Sequence, residues 1–490
     1  MRRALRFKGD RNAGSPGAKK RAGRLRPVLL TAALLLALAA GLHYAHSIVE
    51  LAAAYNAKVL CSGVFVSRRP AESLLNVDLV AGDLAPLRHI GAAVDLAHDT
   101  ATASFLGLIE RTARYSADLG CTLVPSGDKS FRPSVSENKT APSRTQSTGL
   151  EYRLSQATGG DKFGSALDYA LVQHRLEAAL DWAFAEPDPA QLRHTRAVVI
   201  LRSGVVVAER YAEGFDPNMP LPGWSLAKLA MNALTGILVG EGRLFLSAPA
   251  NAPEWLAPDD PRRAITLDHL LHMESGLEFS EDHGKALQDV TFMLLREPDA
   301  AAFAARKPLQ APPGTRWHYA SGTSNILSRL IRRTVGEADY PGFPKRALFA
   351  PLGMDSAVLE QDASGTFVGS SFMYATARDW ATLGQFYLHD GVWNCRRLLP
   401  EGWVRYSTTP APHAPHGEYG AHFWLKLDDS PAATASTLPA DAFHGIGFEG
   451  QYLSIVPSQR LVVVRLGLTR EGKAWRQGEF LARVIEAPKE

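Results

Sequence analysis

PGWSLAKLAMNAL, residues 222–234, places a serine three positions before a lysine, and its reading decides the fold. Pro222-Gly223 interrupts the preceding chain. Leu226, Leu229, Ala230, Ala233, Leu234, Ile237 and Leu238 then follow a helical apolar pattern that stops near Gly240-Glu241-Gly242. Ser225 thus stands at the start of a buried helix, with Lys228 one turn on and on the same face. A serine there has an ordinary role as an N-cap, but a lysine on an apolar helix face has almost none. The spacing alone is weak, because Ser126 and Lys129, and Ser136 and Lys139, repeat it within a polar stretch. What the context adds is a chemical reason. A serine hydroxyl is a poor nucleophile until a neighbouring base takes its proton, and a desolvated lysine at a helix N-terminus can be that base.

Two further stretches supply companions. APPGTRWHYASGTSNILSRLIRRTVG (311–336) runs from a Pro-Gly turn through Tyr319-Ala320-Ser321 into a helix-like pattern, so the Tyr319 phenol can share a proton with Ser225 and Lys228. FHGIGFEGQYLSIVP (443–457) sets Gly445, Gly447 and Gly450 against the start of a hairpin, where a backbone N–H can face an oxyanion.

The surrounding pattern is α+β. RAVVILRSGVVVAERYAEG (196–214) is two β-branched runs joined at Arg202-Ser203-Gly204, and QYLSIVPSQRLVVVRLGL (451–468) is a second pair hinged at Pro457–Arg460. Joining the two hairpins predicts one antiparallel sheet. Helices are expected near 166–185 and 472–486, and a mostly helical lobe in between. Before this, residues 51–125 begin helix-like and pass to short β-leaning runs, CSGVFVS and CTLVP. Residues 126–149 are polar and rich in Pro, Ser and Thr, marking a linker that extends to about 165.

The N-terminus differs in kind. Residues 1–27 carry ten Lys or Arg against one Asp, which leaves the remainder acidic and argues against a nucleic-acid partner. VLLTAALLLALAAGL (28–42) follows, an apolar run that continues weakly to about residue 50, close to the roughly 20 residues a spanning helix needs. The long basic tail favours an uncleaved inner-membrane anchor over cleavage after Ser47. By the positive-inside rule the tail then stays cytoplasmic and the rest faces the periplasm. In that setting Cys61 and Cys121 are expected to pair, leaving Cys395. His269 and His272, and His413 and His416, read as solvated or core histidines, so no metal or other cofactor is expected. Asp362 is a lesser candidate for the pocket wall.

Together GWSLAK, ITLDHLLHMESGLEF (265–279), PPGTRWHYASG, LFAPLGM (348–354), YATARDWATLGQFYL (374–388), RLLPEGW (397–403) and GFEGQYLSIVP resemble the serine β-lactamase and penicillin-binding superfamily. The likeness is to its class C-like branch, which includes esterases and 6-aminohexanoate-dimer hydrolases. The resemblance implies a β-lactamase-like domain over 166–490. In it Ser225 is the acylated nucleophile, Lys228 its base, and Tyr319 a proton relay. The Ser225 N–H and the Gly447–Phe448 turn would hold the oxyanion, with Ser321 and His444 near the substrate. Tyr319-Ala320-Ser321 departs from the Tyr-x-Asn of the lactamases, and no Lys-Thr-Gly precedes the last hairpin. Both departures favour a linear amide or ester over a lactam. A β-lactamase proper and a non-hydrolytic sensor module are the alternatives, and the oligomeric state is not legible.

Overall fold

The computed structural model describes residues 17–128, 130–133, 166–282, 285–427, 438–470 and 472–487. Most of the expected linker, with the Ser136–Lys139 pair, lies outside them. Two compact units are present, Met1–Val49 and Glu50–Glu490. The first is dominated by the start of helix α1 (Gly17–Cys61), whose residues 29–46 are all exposed, including Leu29, Leu30, Leu34, Leu35, Leu36, Leu38 and Leu42. By length and composition this helix is apolar enough to cross a membrane.

The second unit is built on a five-stranded sheet. Strands β5 (Thr195–Arg202), β6 (Val205–Tyr211), β7 (Phe443–Gly447), β8 (Gln451–Val456) and β9 (Leu461–Gly467) lie in the order β7-β8-β9-β5-β6, every pair antiparallel. The two expected hairpins therefore meet, with Val199 opposite Val464. The first turn is made by Ser203 and Gly204 at φ 50° and 82°, the left-handed pair that suits the twist of a tight hairpin. The glycine-rich run before the second hairpin forms the edge strand β7 and turns at residues 448–450.

Both faces of the sheet are covered, which is why its strands read as continuous apolar runs. Val199, Leu201, Ile455 and Val464 face the main core, with α3 (Ala227–Gly240), α4 (Ser321–Val335) and α5 (Ala377–Leu388) among its elements. Val198, Ile200, Val456 and Val463 face α2 (Ala166–Phe184) and α6 (Gln477–Glu486), through Leu176, Leu180, Phe480 and Leu481.

The segment before the linker belongs to this same unit. It carries a four-stranded meander, β1 (Gly91–Asp95), β2 (Thr100–Phe105), β3 (Ile109–Ser116) and β4 (Gly120–Leu123), in sequential order. Residues 61–67, expected as a β-leaning run, instead prolong α1 through a wide helical turn over Ser62–Val66. Gly63 lies against Leu74 there, where a Cβ would stand 2.5 Å from a methyl carbon. A disulfide joins Cys61 and Cys121, Cα atoms 6.1 Å apart. Beside it the Lys58 ammonium donates to the Cys121 carbonyl at 2.7 Å and to the Glu360 carboxylate. The same carboxylate accepts from Ser62 Oγ at 2.8 Å and from the Cys121 amide at 2.7 Å. Because both charges are buried, removing one strands the other: Lys58→Met is expected to lower stability by about 3–5 kcal/mol, measured by urea unfolding.

Two imidazoles are sealed in the second unit, His422 and His444, each 2% exposed, and burial lowers each pKa from 6.5 to about 3. Between those values the unfolded chain binds protons that the folded one refuses, so these residues make stability fall as pH drops from 6.5 toward 3. Asp362 and Asp379, raised by burial from 3.8 to about 6, oppose this between 3.8 and 6 with a smaller displacement. The urea midpoint is therefore expected to be lower at about pH 4.5 than at about pH 6.5, with the gap narrowed in His422→Gln. An unchanged gap would remove His422 from the account.

Candidate active site

Ser225 is presented by a strained turn. Leu221 and Pro222 pair with the strand Met373–Ala375, and the Gly223 amide donates to Met373 O at 2.9 Å. Gly223 packs against Trp380, where a Cβ would stand 2.3 Å from a ring carbon. Trp224 follows in the left-handed region at φ 48°, a conformation that costs energy for a bulky residue and clusters at functional sites. A short 3₁₀ turn, Trp224–Leu226, then leads into α3, every residue of which is buried from Ala227 to Leu238. Ser225 itself is half-buried and Lys228 is 1% exposed.

Three oxygens surround Lys228 Nζ: Ser225 Oγ at 3.0 Å, Ser321 Oγ at 3.2 Å and Ser370 O at 2.9 Å. The last two are fixed as acceptors. Ser321, first residue of α4, donates through its hydroxyl and its amide to the Glu281 carboxylate, at 2.5 and 2.9 Å, so its oxygen turns lone pairs toward the amine. One turn along α4, Asn325 accepts from the Ser370 amide at 3.2 Å and donates to its hydroxyl at 3.1 Å, which sets the Ser370 carbonyl. With these two oxygens held as acceptors, the remaining contact of Nζ is the one to Ser225 Oγ. The Tyr319 ring lies 4.9 Å from Nζ and is held by Trp424 (5.5 Å, stacked) and Tyr419 (5.8 Å, edge-on).

On the other side, β7 ends against the serine turn. A Cβ on Gly447 would stand 2.2 Å from Gly223 O, so glycine permits this approach. Phe448 meets Trp224 edge-on at 5.5 Å. Ser225, Lys228, Tyr319 and Ser321 thus gather around one amine, with Gly447 and Phe448 beside the serine turn. His444 does not join them. Alternation along β7 sends its ring away from Phe443 and the main core, to Ser454 Oγ at 2.9 Å, which also accepts from Gln477 of α6 at 3.0 Å. Asp362 is likewise spent elsewhere, accepting from the amides of Ala300 and Ser364 at 3.0 Å. Among the described residues no three His, Cys, Asp or Glu side chains are placed to hold a metal ion.

Sequence reasoning missed Glu281, Asn325 and Ser370. Glu281 follows the 265–279 block in a polar run, Ser280-Glu281-Asp282, that reads as solvated loop. Asn325 was the better signal, an amide one turn after Ser321 on the buried side of a helix.

Comparisons with known proteins agree on the fold. Residues 172–478 match the Beta-lactamase family. A 6-aminohexanoate-dimer hydrolase of Paenarthrobacter ureafaciens is 26% identical over 297 residues, 56% of this chain and 72% of that protein. Among solved structures, EstCE1, a hydrolase with promiscuous acyltransferase activity, aligns at TM-score 0.51 and 15% identity, covering 66% of this chain and 100% of the other. A putative β-lactamase from Bacteroides dorei aligns at TM-score 0.50 and 17% identity, covering 64% and 98%. With more than half of its length matched, the chain belongs to the Beta-lactamase family and is a serine hydrolase.

Proposed function

We propose that the chain hydrolyses a linear amide or ester through an acyl-enzyme on Ser225, and that residues 28–50 of α1 anchor it in the inner membrane with its catalytic unit in the periplasm. The observation that carries the reading is the hydrogen bonding of Lys228, whose other two acceptors are fixed so that the third direction falls to Ser225. In this mechanism Ser225 Oγ attacks the substrate carbonyl carbon as its proton passes to Lys228. The Ser225 N–H and an N–H of the Gly447–Phe448 turn stabilise the oxyanion. Collapse breaks the bond to the amine or alcohol, which leaves with a proton relayed from Lys228 through Tyr319. Water then attacks the acyl carbon, with the same groups returning the proton, and frees the acid.

Two observations favour an acyclic substrate over a lactam. Ser321 stands where the lactamases have an asparagine, and its hydroxyl is committed to Glu281. The Lys-Thr-Gly of the lactamases has no counterpart before the last hairpin, where the His444 imidazole is bound to Ser454. The Paenarthrobacter ureafaciens relative is named a 6-aminohexanoate-dimer hydrolase. Membrane anchoring is supported by the exposed apolar run of residues 29–42 behind a basic tail.

A fluorophosphonate should label the wild type at Ser225, located by peptide mass, and p-nitrophenyl butyrate and the 6-aminohexanoate linear dimer serve as first substrates. Ser225→Ala should abolish both labelling and turnover, and Lys228→Ala should lower kcat by about 10³-fold. Glu281→Gln should lower kcat by about tenfold without changing the labelled residue. Folded wild type that takes no label would sink the hydrolase reading. Orientation can be read at Cys395, an exposed free thiol. A membrane-impermeant maleimide should reach it in intact spheroplasts, and protection until lysis would place the catalytic unit in the cytoplasm.

A further inference from the structure

The two proposed oxyanion donors sit on separate elements, Ser225 on the 3₁₀ turn before α3 and Gly447–Phe448 at the β7–β8 turn, which meet where Gly447 packs on Gly223 O and Phe448 on Trp224. One side chain adds a charged hydrogen-bonded link between them. Glu449, 6% exposed, belongs to the β7–β8 turn through its backbone, whose carbonyl accepts from the Thr469 amide at 2.9 Å. Its carboxylate accepts from the Trp224 indole N–H at 2.8 Å, and Trp224 is the residue immediately before Ser225. The other carboxylate oxygen accepts from Arg470 at 2.8 Å and from the Tyr55 phenol at 3.2 Å.

Both ends of this link are backbone positions that ordinarily suit glycine. Trp224 is at φ 48° and Glu449 at φ 62°. Holding side chains in the left-handed region at both ends carries a cost that glycine would avoid, and it is explained if the side chains themselves are required. Tyr55 comes from α1, outside the family-matched region. Burial and the adjacent Glu449 raise its pKa well above the usual phenol value, so it remains a donor. The same segment secures Arg470, whose guanidinium bonds Asp83 at 2.8 Å and covers the Phe448 ring at 4.8 Å.

We infer that Glu449 is a positioning residue that fixes the oxyanion gap by tying the β7–β8 turn to Trp224, and that Tyr55 of α1 holds it in place. The segment preceding the hydrolase fold is then a working part of the site. This rests on the acyl-enzyme reading above.

The test uses the full chain, p-nitrophenyl butyrate turnover, and three variants: Trp224→Phe, Tyr55→Phe and their combination. Trp224→Phe removes the indole donor while keeping an aromatic ring and the Glu449–Arg470 pair; Tyr55→Phe removes one hydroxyl. Displaced oxyanion donors should lower kcat by about ten- to a hundred-fold in Trp224→Phe and by about three- to tenfold in Tyr55→Phe, with KM within about twofold. Because Tyr55 acts through Glu449 on Trp224, the double variant should lose little beyond Trp224→Phe. Unchanged kcat in either single variant, losses confined to KM, or losses that multiply and follow the melting temperature would each overturn the inference. Wild type that neither turns over the ester nor takes the fluorophosphonate would overturn the hydrolase reading and this one with it. Wild-type turnover with an indifferent Tyr55→Phe overturns only the latter.

Discussion

A primary amine sealed inside a protein must have each of its hydrogens accepted, and that requirement at Lys228 organises the catalytic unit. Its partners come from three places: Ser225 before α3, Ser321 at the head of α4, and the Ser370 carbonyl in the loop that leads to the Met373–Ala375 strand. None of these segments is adjacent in sequence, and each is fixed by a partner of its own. Glu281 fixes Ser321, Asn325 fixes Ser370, and Gly223 fixes the serine turn against Trp380. The helical lobe is therefore less a cover for the sheet than a frame that brings three oxygens to one nitrogen. The sheet contributes from the opposite side through β7, whose end meets Gly223.

The part of the fold written in local periodicity was legible. Two β-branched hairpins declared the sheet, and the apolar pattern after Ser225 declared α3 and put Lys228 on its buried side. Gathering Ser225, Lys228, Tyr319 and Ser321 needed the family resemblance as well, because Ser-x-x-Lys spacing recurs twice elsewhere in this chain. What stayed hidden is what depends on register and distance. Whether His444 faces the site or Ser454 is decided by a one-residue alternation in a short glycine-rich strand whose register no local pattern fixes. Glu281 is paired with a residue forty positions away, and no local pattern distinguishes it from the solvated carboxylate beside it. The run CSGVFVS looked β-leaning, yet tertiary contacts to Leu74 and Glu360 keep it helical.

The family match begins at residue 172, whereas the compact unit begins at Glu50. The difference has a structural meaning. Lys58 and Ser62 bind Glu360, and the Glu360 backbone exchanges hydrogen bonds with Phe372 and Val368, at the base of the loop that carries Ser370. Tyr55, one turn earlier on the same helix, reaches Glu449. A single helical segment thus touches supports on both sides of Ser225, and the Cys61–Cys121 bridge ties its end to the meander.

These couplings also bound how the site can tolerate change. A buried carboxylate with several donors, such as Glu360 or Glu449, cannot lose one partner without leaving another polar group unsatisfied, so its neighbours are constrained as a set. Ser225 lies between two such sets, one acting through the Ser370 loop and one through Trp224. The α1 segment therefore bears more directly on the surroundings of Ser225 than on the sheet, whose strands are held by their own apolar faces. The segment outside the family-matched region is in this sense in closer contact with the supports of Ser225 than much of the matched region is.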